Sequence, residues 1–220
     1  ERINLIVNDC KTISTNVVYP LQCKSLQKRI RLAMSSDLPV VLLGNPGVGK
    51  TELAKKIASK YYTLTTIYEV PKSNVELESS NLFGLDKASL SADHDGSEGV
   101  FSLIAEPNKE KSLILDEFQN LNLELMDRMQ TLFDSRIFRR VLRKNEENYS
   151  IKDNKLICCM NMPLKSLPHS LLRRFKDINK VIFIALEGVD LYSDEQKLYL
   201  FEYLWTHSGY EIKKITKSMR

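Results

Sequence analysis

The run GNPGVGKT, Gly44 to Thr51, sets glycines, a lysine and a hydroxyl residue at the spacing G-x-x-x-x-G-K-[ST]. Residue types in that order suit a chain of phosphates. Gly44, Gly47 and Gly49 let the backbone turn tightly and aim its N–H groups inward, and a helix opening directly afterwards adds its positive dipole end. Lys50 brings a mobile charge to the β- and γ-phosphates, and Thr51 a hydroxyl for Mg²⁺. Asn45, Pro46, Val48 and Glu52 complete the predicted binding loop and first helical turn.

A second constellation ends the apolar run LILDEF in Asp116 and Glu117. Adjacent carboxylates at the end of a buried strand are costly unless they meet a cation or water. Asp116 is predicted to hold Mg²⁺ through water, with Thr51, and Glu117 to orient or deprotonate an attacking water. The run KLICCMN ends on Asn161, a neutral amide suited to share that water and sense the γ-phosphate; opening a turn before Met162–Pro163 is the plainer reading. In SLLRRF, Arg173 and Arg174 stand side by side with no evident acidic partner nearby in the chain. An arginine offered to a neighbouring subunit's nucleotide accelerates phosphoryl transfer by about 10³- to 10⁵-fold. A solvated pair at a helix end is the alternative.

These groups need a scaffold that delivers them to one edge. LPVVLLG (38–44), TTIYEV (65–70), SLILD (112–116), KLICCMN (155–161) and KVIFIAL (180–186) read as strands. Most are apolar throughout, and helices alternate with them. SLQKRIRLAMSS (25–36) and TELAKKIASKYY (51–62) are two; a third carries Leu125, Met126, Met129, Leu132, Phe133 and Ile137 on one face, with Asn122 as cap. Such alternation predicts an α/β fold with a parallel sheet covered on both faces, and ligands bind such sheets at the carboxyl ends of the strands. Residues 85–99 read as a polar surface loop, and Ser193 with Gln196 as a capping box opening an aromatic-rich helix. RIFRRVLRK (136–144) reads as the solvated end of the third helix leading into a hairpin. A basic face toward nucleic acid or peptide in a pore is its alternative.

Composition sets the outer bounds. The balance of 32 basic against 28 acidic residues is +4, too mild for a nucleic-acid binder with a basic stripe. Cys10, Cys23, Cys158 and Cys159 lack metal-ligand spacing, and the adjacent pair in an apolar run predicts small buried hydrophobes, reduced thiols and an intracellular setting, cytoplasmic or nuclear. No run approaches the ~20 apolar residues of a membrane span, so no membrane partner is expected.

Phosphate loop, Asp-Glu strand, Asn-ended strand and LPHSLLRRF, in that order, resemble the AAA+ ATPases over roughly residues 20 to 190. The last segment is similar to that family's L-x-x-A-L-x-x-R-F box. By this resemblance Asn161 is sensor 1, and Arg173 and Arg174 hold the arginine-finger position. NLFG (81–84) and the run from Gly96 into the third helix are similar to the helix-2-insert branch, which includes MoxR proteins, McrB-type GTPases, midasin and dynein-related ATPases. MNMPLKSLPHSLLRRF is nearest to the McrB-type segment but departs where that type has an Asp, Leu164 and Lys165 occupying the place. ATP is therefore the expected nucleotide and GTP the alternative.

The resemblance implies a P-loop NTPase sheet of five strands in the order 5-1-4-3-2, sandwiched by helices. It implies a homo- or hetero-oligomeric ring, usually a hexamer, with each site at a subunit interface. Residues 1–36 are then a lead-in and helix, 37–187 the nucleotide-binding core, and 188–220 a partial or degenerate helical lid in which Lys213, Lys214, Lys217 and Arg220 are undistinguished candidates for sensor 2. The function expected is Mg²⁺-dependent ATP hydrolysis that remodels a protein or nucleic-acid partner, with an arginine acting in trans. A nucleotide-gated assembly module with little turnover is the alternative from the binding class. A small-molecule kinase would need an acceptor pocket and would leave Asn161 and both arginines without a role.

Overall fold

The computed structural model of the protein describes residues 24–59, 64–72, 75–84, 99–105, 110–141, 146–152, 154–162, 166–177, 179–186 and 194. In chain order these form α1 (Lys24–Ser35), β1 (Val40–Leu43), α2 (Lys50–Ser59), β2 (Leu64–Glu69), α3 (Val75–Phe83), a 3₁₀ turn (Val100–Ile104) and β3 (Lys111–Asp116). A second 3₁₀ turn (Phe118–Asn120), α4 (Leu123–Arg128), α5 (Gln130–Asp134), β4 (Ile137–Val141), β5 (Glu146–Ser150), β6 (Lys155–Met160), α6 (His169–Phe175) and β7 (Ile182–Ala185) follow. The lead-in before Lys24, the 85–98 loop, the Ser193–Gln196 capping box and, apart from Asp194, the lid lie outside the described residues.

Five strands pair in parallel in the order β2-β3-β6-β1-β7. Numbered among themselves they run 2-3-4-1-5, the expected 5-1-4-3-2 read from the other edge. Successive side chains of a strand point to opposite faces, and here both faces are covered. Val41, Leu113, Leu115, Leu156, Cys158 and Met160 pack into one apolar layer with residues of α4, α5 and α6. Val40, Leu42, Ile114, Ile157 and Cys159 pack into the other with α1 and α2. All six residues of β6 are buried, so alternation of polarity vanishes there, as expected for a central parallel strand. The cysteine pair thus splits between the two layers. Burial raises the Cys158 thiol well above its ordinary value, and burial together with the nearby Asp116 pushes Cys159 up to about 12, so both stay protonated hydrophobes.

The third helix differs from its sequence reading. Leu125, Met126, Met129, Leu132 and Phe133 are the core face, and the Asn122 side chain caps Glu124 N–H at 2.8 Å. But the helix breaks at Met129 into α4 and α5, it ends at Asp134, and Ile137 opens β4 of an antiparallel hairpin with β5. The stop is set by Arg136, which takes a left-handed conformation (φ 56°) at a place more often given to Gly. Its carbonyl accepts Ile151 N–H at 2.8 Å and its guanidinium pairs with Asp37, so the chain reverses into strand. Within RIFRRVLRK, Ile137–Val141 are a strand of the expected hairpin and not a helix end. α3 carried no clear apolar signal in the sequence: the residue one turn before the buried Leu82 is Glu78, a carboxylate that the fold buries as well.

Two stability predictions arise here. The backbones of Gly99 and residues 82–84 meet so closely that a Cβ on Gly99 would stand 2.3 Å from Gly84 N and 2.4 Å from Leu82 O. Main chain cannot yield as a side chain can, so Gly99→Ala lowers unfolding stability by about 1–3 kcal/mol. The check is a lower urea midpoint at unchanged m value.

The second concerns Lys155, fully buried at the start of β6, its Nζ donating to Ser36 O at 2.5 Å. Burial pushes the ammonium down to about 7; Asp37 pulls against this and Arg136 adds to it. A lysine depressed on folding leaves the unfolded chain holding the extra proton between about 7 and its ordinary 10.5. Stability therefore rises with pH across that window, by up to about 1.4 kcal/mol per unit. Urea unfolding at pH 7, 8 and 9 shows this slope in the wild type and loses it in Lys155→Met.

Candidate functional site

The phosphate loop leaves β1 at the carboxyl edge of the sheet, between two neighbouring strands that fix its start. Gly44 N–H donates to Met160 O at 3.2 Å, and Leu186 N–H donates to Leu43 O at 2.7 Å. Gly47 (φ 80°) and Gly49 (φ 86°) take left-handed conformations that a side chain would resist, and α2 begins one residue later at Lys50. Lys50 is buried and folds back over the loop, its Nζ donating to Gly44 O and Asn45 O at 3.0 Å each. Asn45, Pro46 and Gly47 are exposed and Val48 half-buried, so the outer wall of the loop is open. The Glu52 carboxylate turns outward to Lys55 at 2.7 Å; what Glu52 offers the site is its backbone N–H in the first helical turn.

Thr51 and Asp116, 65 residues apart in sequence, meet directly: Thr51 Oγ1 donates to Asp116 Oδ2 at 2.6 Å. They are brought together by the β3-β6-β1 pairing, which sets the ends of these strands at one edge. A hydroxyl and a carboxylate oxygen at one point are hard donors suited to Mg²⁺. Among the described residues no three His, Cys, Asp or Glu cluster to hold a metal ion.

Glu117 follows in a left-handed conformation (φ 54°, ψ 38°), unusual for a residue with a side chain, and its N–H donates to Asp116 Oδ1 at 3.0 Å. The turn lifts its carboxylate off the strand and toward the end of β6. There Asn161 Nδ2 donates to Glu117 Oε2 at 3.4 Å. Gln119, not singled out by the sequence, completes the group. Its Nε2 donates to the same Glu117 Oε2, and its Oε1 accepts Asn161 N–H at 3.2 Å.

The two arginines part company. Arg174 has an acidic partner after all: it grips Asp134, with Nε donating to Oδ2 at 2.6 Å, while Lys180 donates to Oδ1 at 2.6 Å. Burial alone would raise the Asp134 carboxyl, but the bonds from Lys180 and Arg174 outweigh it and hold it below the usual carboxylate range. The Arg174 Nη1 also donates to Ser170 O at 2.8 Å. This partner lies 40 residues upstream, on a helix whose end the sequence reading placed later. Arg173 is exposed and makes no hydrogen bond or ion pair among the described residues. A cavity of about 370 Å³ opens beside it, lined also by Asp134, Arg174, Lys176, Asp177 and Lys180. The helix that carries it is braced by Ser170 Oγ on Asp127 (2.8 Å) and by Phe175 edge-on to Phe133 (centroids 5.3 Å apart).

Lys50, Thr51, Asp116, Glu117 and Asn161 thus converge at one edge, where a phosphate chain, a cation and a water can be handled together. Arg173 stands apart on a rigid outer helix. Comparison with known proteins agrees with the architecture. NtrX from Brucella abortus, whose structure was solved in complex with ATP, is similar with a TM-score of 0.62 at 14% sequence identity, a likeness that shows the fold. The match covers 98% of this chain and 47% of NtrX, so the chain spans about half the length of that protein. None of the curated proteins compared matches the chain. The sequence profile of the Sigma-54 interaction domain matches residues 19–181, well over half of the chain and all of the site above. The chain belongs to the sigma-54 interaction domain family, within the AAA+ ATPases.

Proposed function

We propose that the protein is a ring-forming ATPase subunit that hydrolyses ATP across a subunit interface and uses the cycle to remodel a partner protein. The observation that carries this reading is the meeting of Thr51 with Asp116 at 2.6 Å beside Lys50, Glu117 and Asn161. The loop N–H groups from Gly44 to Glu52 and the Lys50 ammonium hold the phosphate chain. Thr51, and Asp116 through water, would hold Mg²⁺, and the cation would supply positive charge against the phosphates. Glu117 takes the proton of the attacking water, and Asn161 orients that water and reports on the γ-phosphate.

Arg173, rather than Arg174, reaches the neighbouring subunit's γ-phosphate. An arginine committed to Asp134 within its own chain is a brace, while an exposed one on a braced helix is free to act outward. The ATP named for NtrX supports ATP as the nucleotide, and the absent Asp near Leu164 and Lys165 argues against the GTP alternative. The family's description supports a sigma-54 factor as the partner acted upon. The narrower likeness to MoxR, McrB-type, midasin and dynein-related modules rests on NLFG, the run from Gly96 into the third helix and the segment with the paired arginines. A hexamer, a core at 37–187, a lead-in at 1–36 and a lid at 188–220 belong to the same reading. So does an intracellular setting, supported by the buried free thiols; among the described residues no helix is long and apolar enough to cross a membrane.

Phosphate release from ATP and from GTP, measured per protomer over a wide range of protein concentration, tests the proposal. A specific rate that climbs with concentration and favours ATP supports it. A rate independent of concentration, or phosphate appearing on an acceptor rather than free, contradicts it.

A further inference from the structure

We propose that Gln119 is a positioning residue for this hydrolysis, tying the Glu117 carboxylate to the end of β6; the inference rests on the ATPase reading above. The Gln119 carboxamide touches both the Glu117 carboxylate and the backbone that ends β6. Nε2 donates to Glu117 Oε2, and Oε1 accepts Asn161 N–H at 3.2 Å. With Asn161 Nδ2 on the same Oε2 at 3.4 Å, the three residues close a loop of hydrogen bonds.

The turn that presents Gln119 is itself fixed. Phe118 is fully buried, Asn120 N–H donates to Glu117 O at 2.8 Å, and Asn120 Nδ2 donates to Val70 O at 2.9 Å. Gln119 therefore links a rigid turn, the strand that ends in Asn161, and a carboxylate on a flexible stem. A free glutamate side chain spreads over several rotamers, and restricting it has an entropic cost that a preformed hydrogen bond offsets.

Glutamine suits this place chemically. Its amide offers a donor and an acceptor in one plane. Glutamate would accept from Asn161 N–H but set a second negative charge against Glu117. Leucine keeps the bulk and loses both bonds, and asparagine is short by one methylene. Through this link a displacement of the β6 end, where Asn161 senses the γ-phosphate, moves Glu117 with it.

The test compares wild type, Gln119→Leu and the nearly isosteric Gln119→Glu in the full chain. Three quantities are read: kcat and KM for ATP, affinity for ADP, and affinity for ADP–aluminium fluoride as a transition-state mimic. A misplacement of about 1 Å costs about 100-fold in rate, so kcat is expected to fall about 10- to 100-fold in both variants. KM and ADP affinity stay within about threefold, while affinity for ADP–aluminium fluoride falls in step with kcat. A merely structural role would weaken ADP binding and thermal stability together with the rate, and that pattern overturns the proposal. So does turnover within about twofold of wild type in both variants, which leaves the ATPase reading standing. A wild type that releases no phosphate overturns both. If Gln119→Leu fails to fold, Gln119→Glu decides alone.

Discussion

Arg173→Ala lowers ATP turnover by the assembled protein about 10³-fold or more while leaving ATP affinity within a few-fold. The size follows from where the guanidinium acts. Charge on the transferring phosphoryl oxygens grows in the transition state, and an arginine supplied by a neighbour meets it without touching the bound ground state. The exposure of Arg173 makes its own-chain contribution to folding small. Arg174→Ala behaves differently. It leaves Asp134 with Lys180 and removes the side-chain bond to Ser170 O, so it lowers stability by about 1 kcal/mol and loosens the helix that presents Arg173. Its rate defect is smaller than that of Arg173→Ala and is accompanied by a lower melting temperature. Steady-state kinetics and thermal unfolding on both variants, at protein concentrations that saturate the rate, separate the two roles.

Glu117→Gln is the second large effect. The amide keeps the shape of the carboxylate and its place between Gln119 and Asn161, but it cannot take a proton from water. Loss of a general base costs about 10²- to 10⁴-fold. Binding survives, because Lys50, Thr51, Asp116 and the loop N–H groups are untouched. Single-turnover phosphate release shows the chemical step itself to be slow, and the variant retains ATP through purification steps that strip the wild type.

What the sequence shows of this site is what a short motif can hold. Gly44 to Thr51 is read from eight consecutive residues, and Asp116, Glu117 and Asn161 from polar residues closing apolar strands. Their convergence follows because parallel strands all end at the same edge. The strand order came from the family resemblance rather than from periodicity, since an apolar run says that a strand is buried but not which neighbours bury it. Contacts across the sheet were out of reach in the same way. Asp134, the partner of Arg174, stands 40 residues upstream, past a helix stop made by Arg136 in a conformation that its residue type does not advertise. Gln119 was invisible because an amide in a turn after an acidic pair has an ordinary reading. Only the position of Asn161 N–H, 42 residues on, gives it another. Lys155 is the converse case. The run KLICCMN reads as a buried strand without saying where its leading lysine goes, and the fold buries that lysine completely against Ser36.

Mixing the two inactive variants tests the trans-acting arginine most directly. An Arg173→Ala protomer keeps Glu117 and an Glu117→Gln protomer keeps Arg173, so an interface that takes its site from the first and its arginine from the second is whole. Random assembly makes about one interface in four of this kind. Phosphate release in the mixture therefore rises far above that of either variant alone, toward about a quarter of the wild-type rate. A mixture as inactive as its components would contradict a site completed between subunits and return Arg173 to the helix surface.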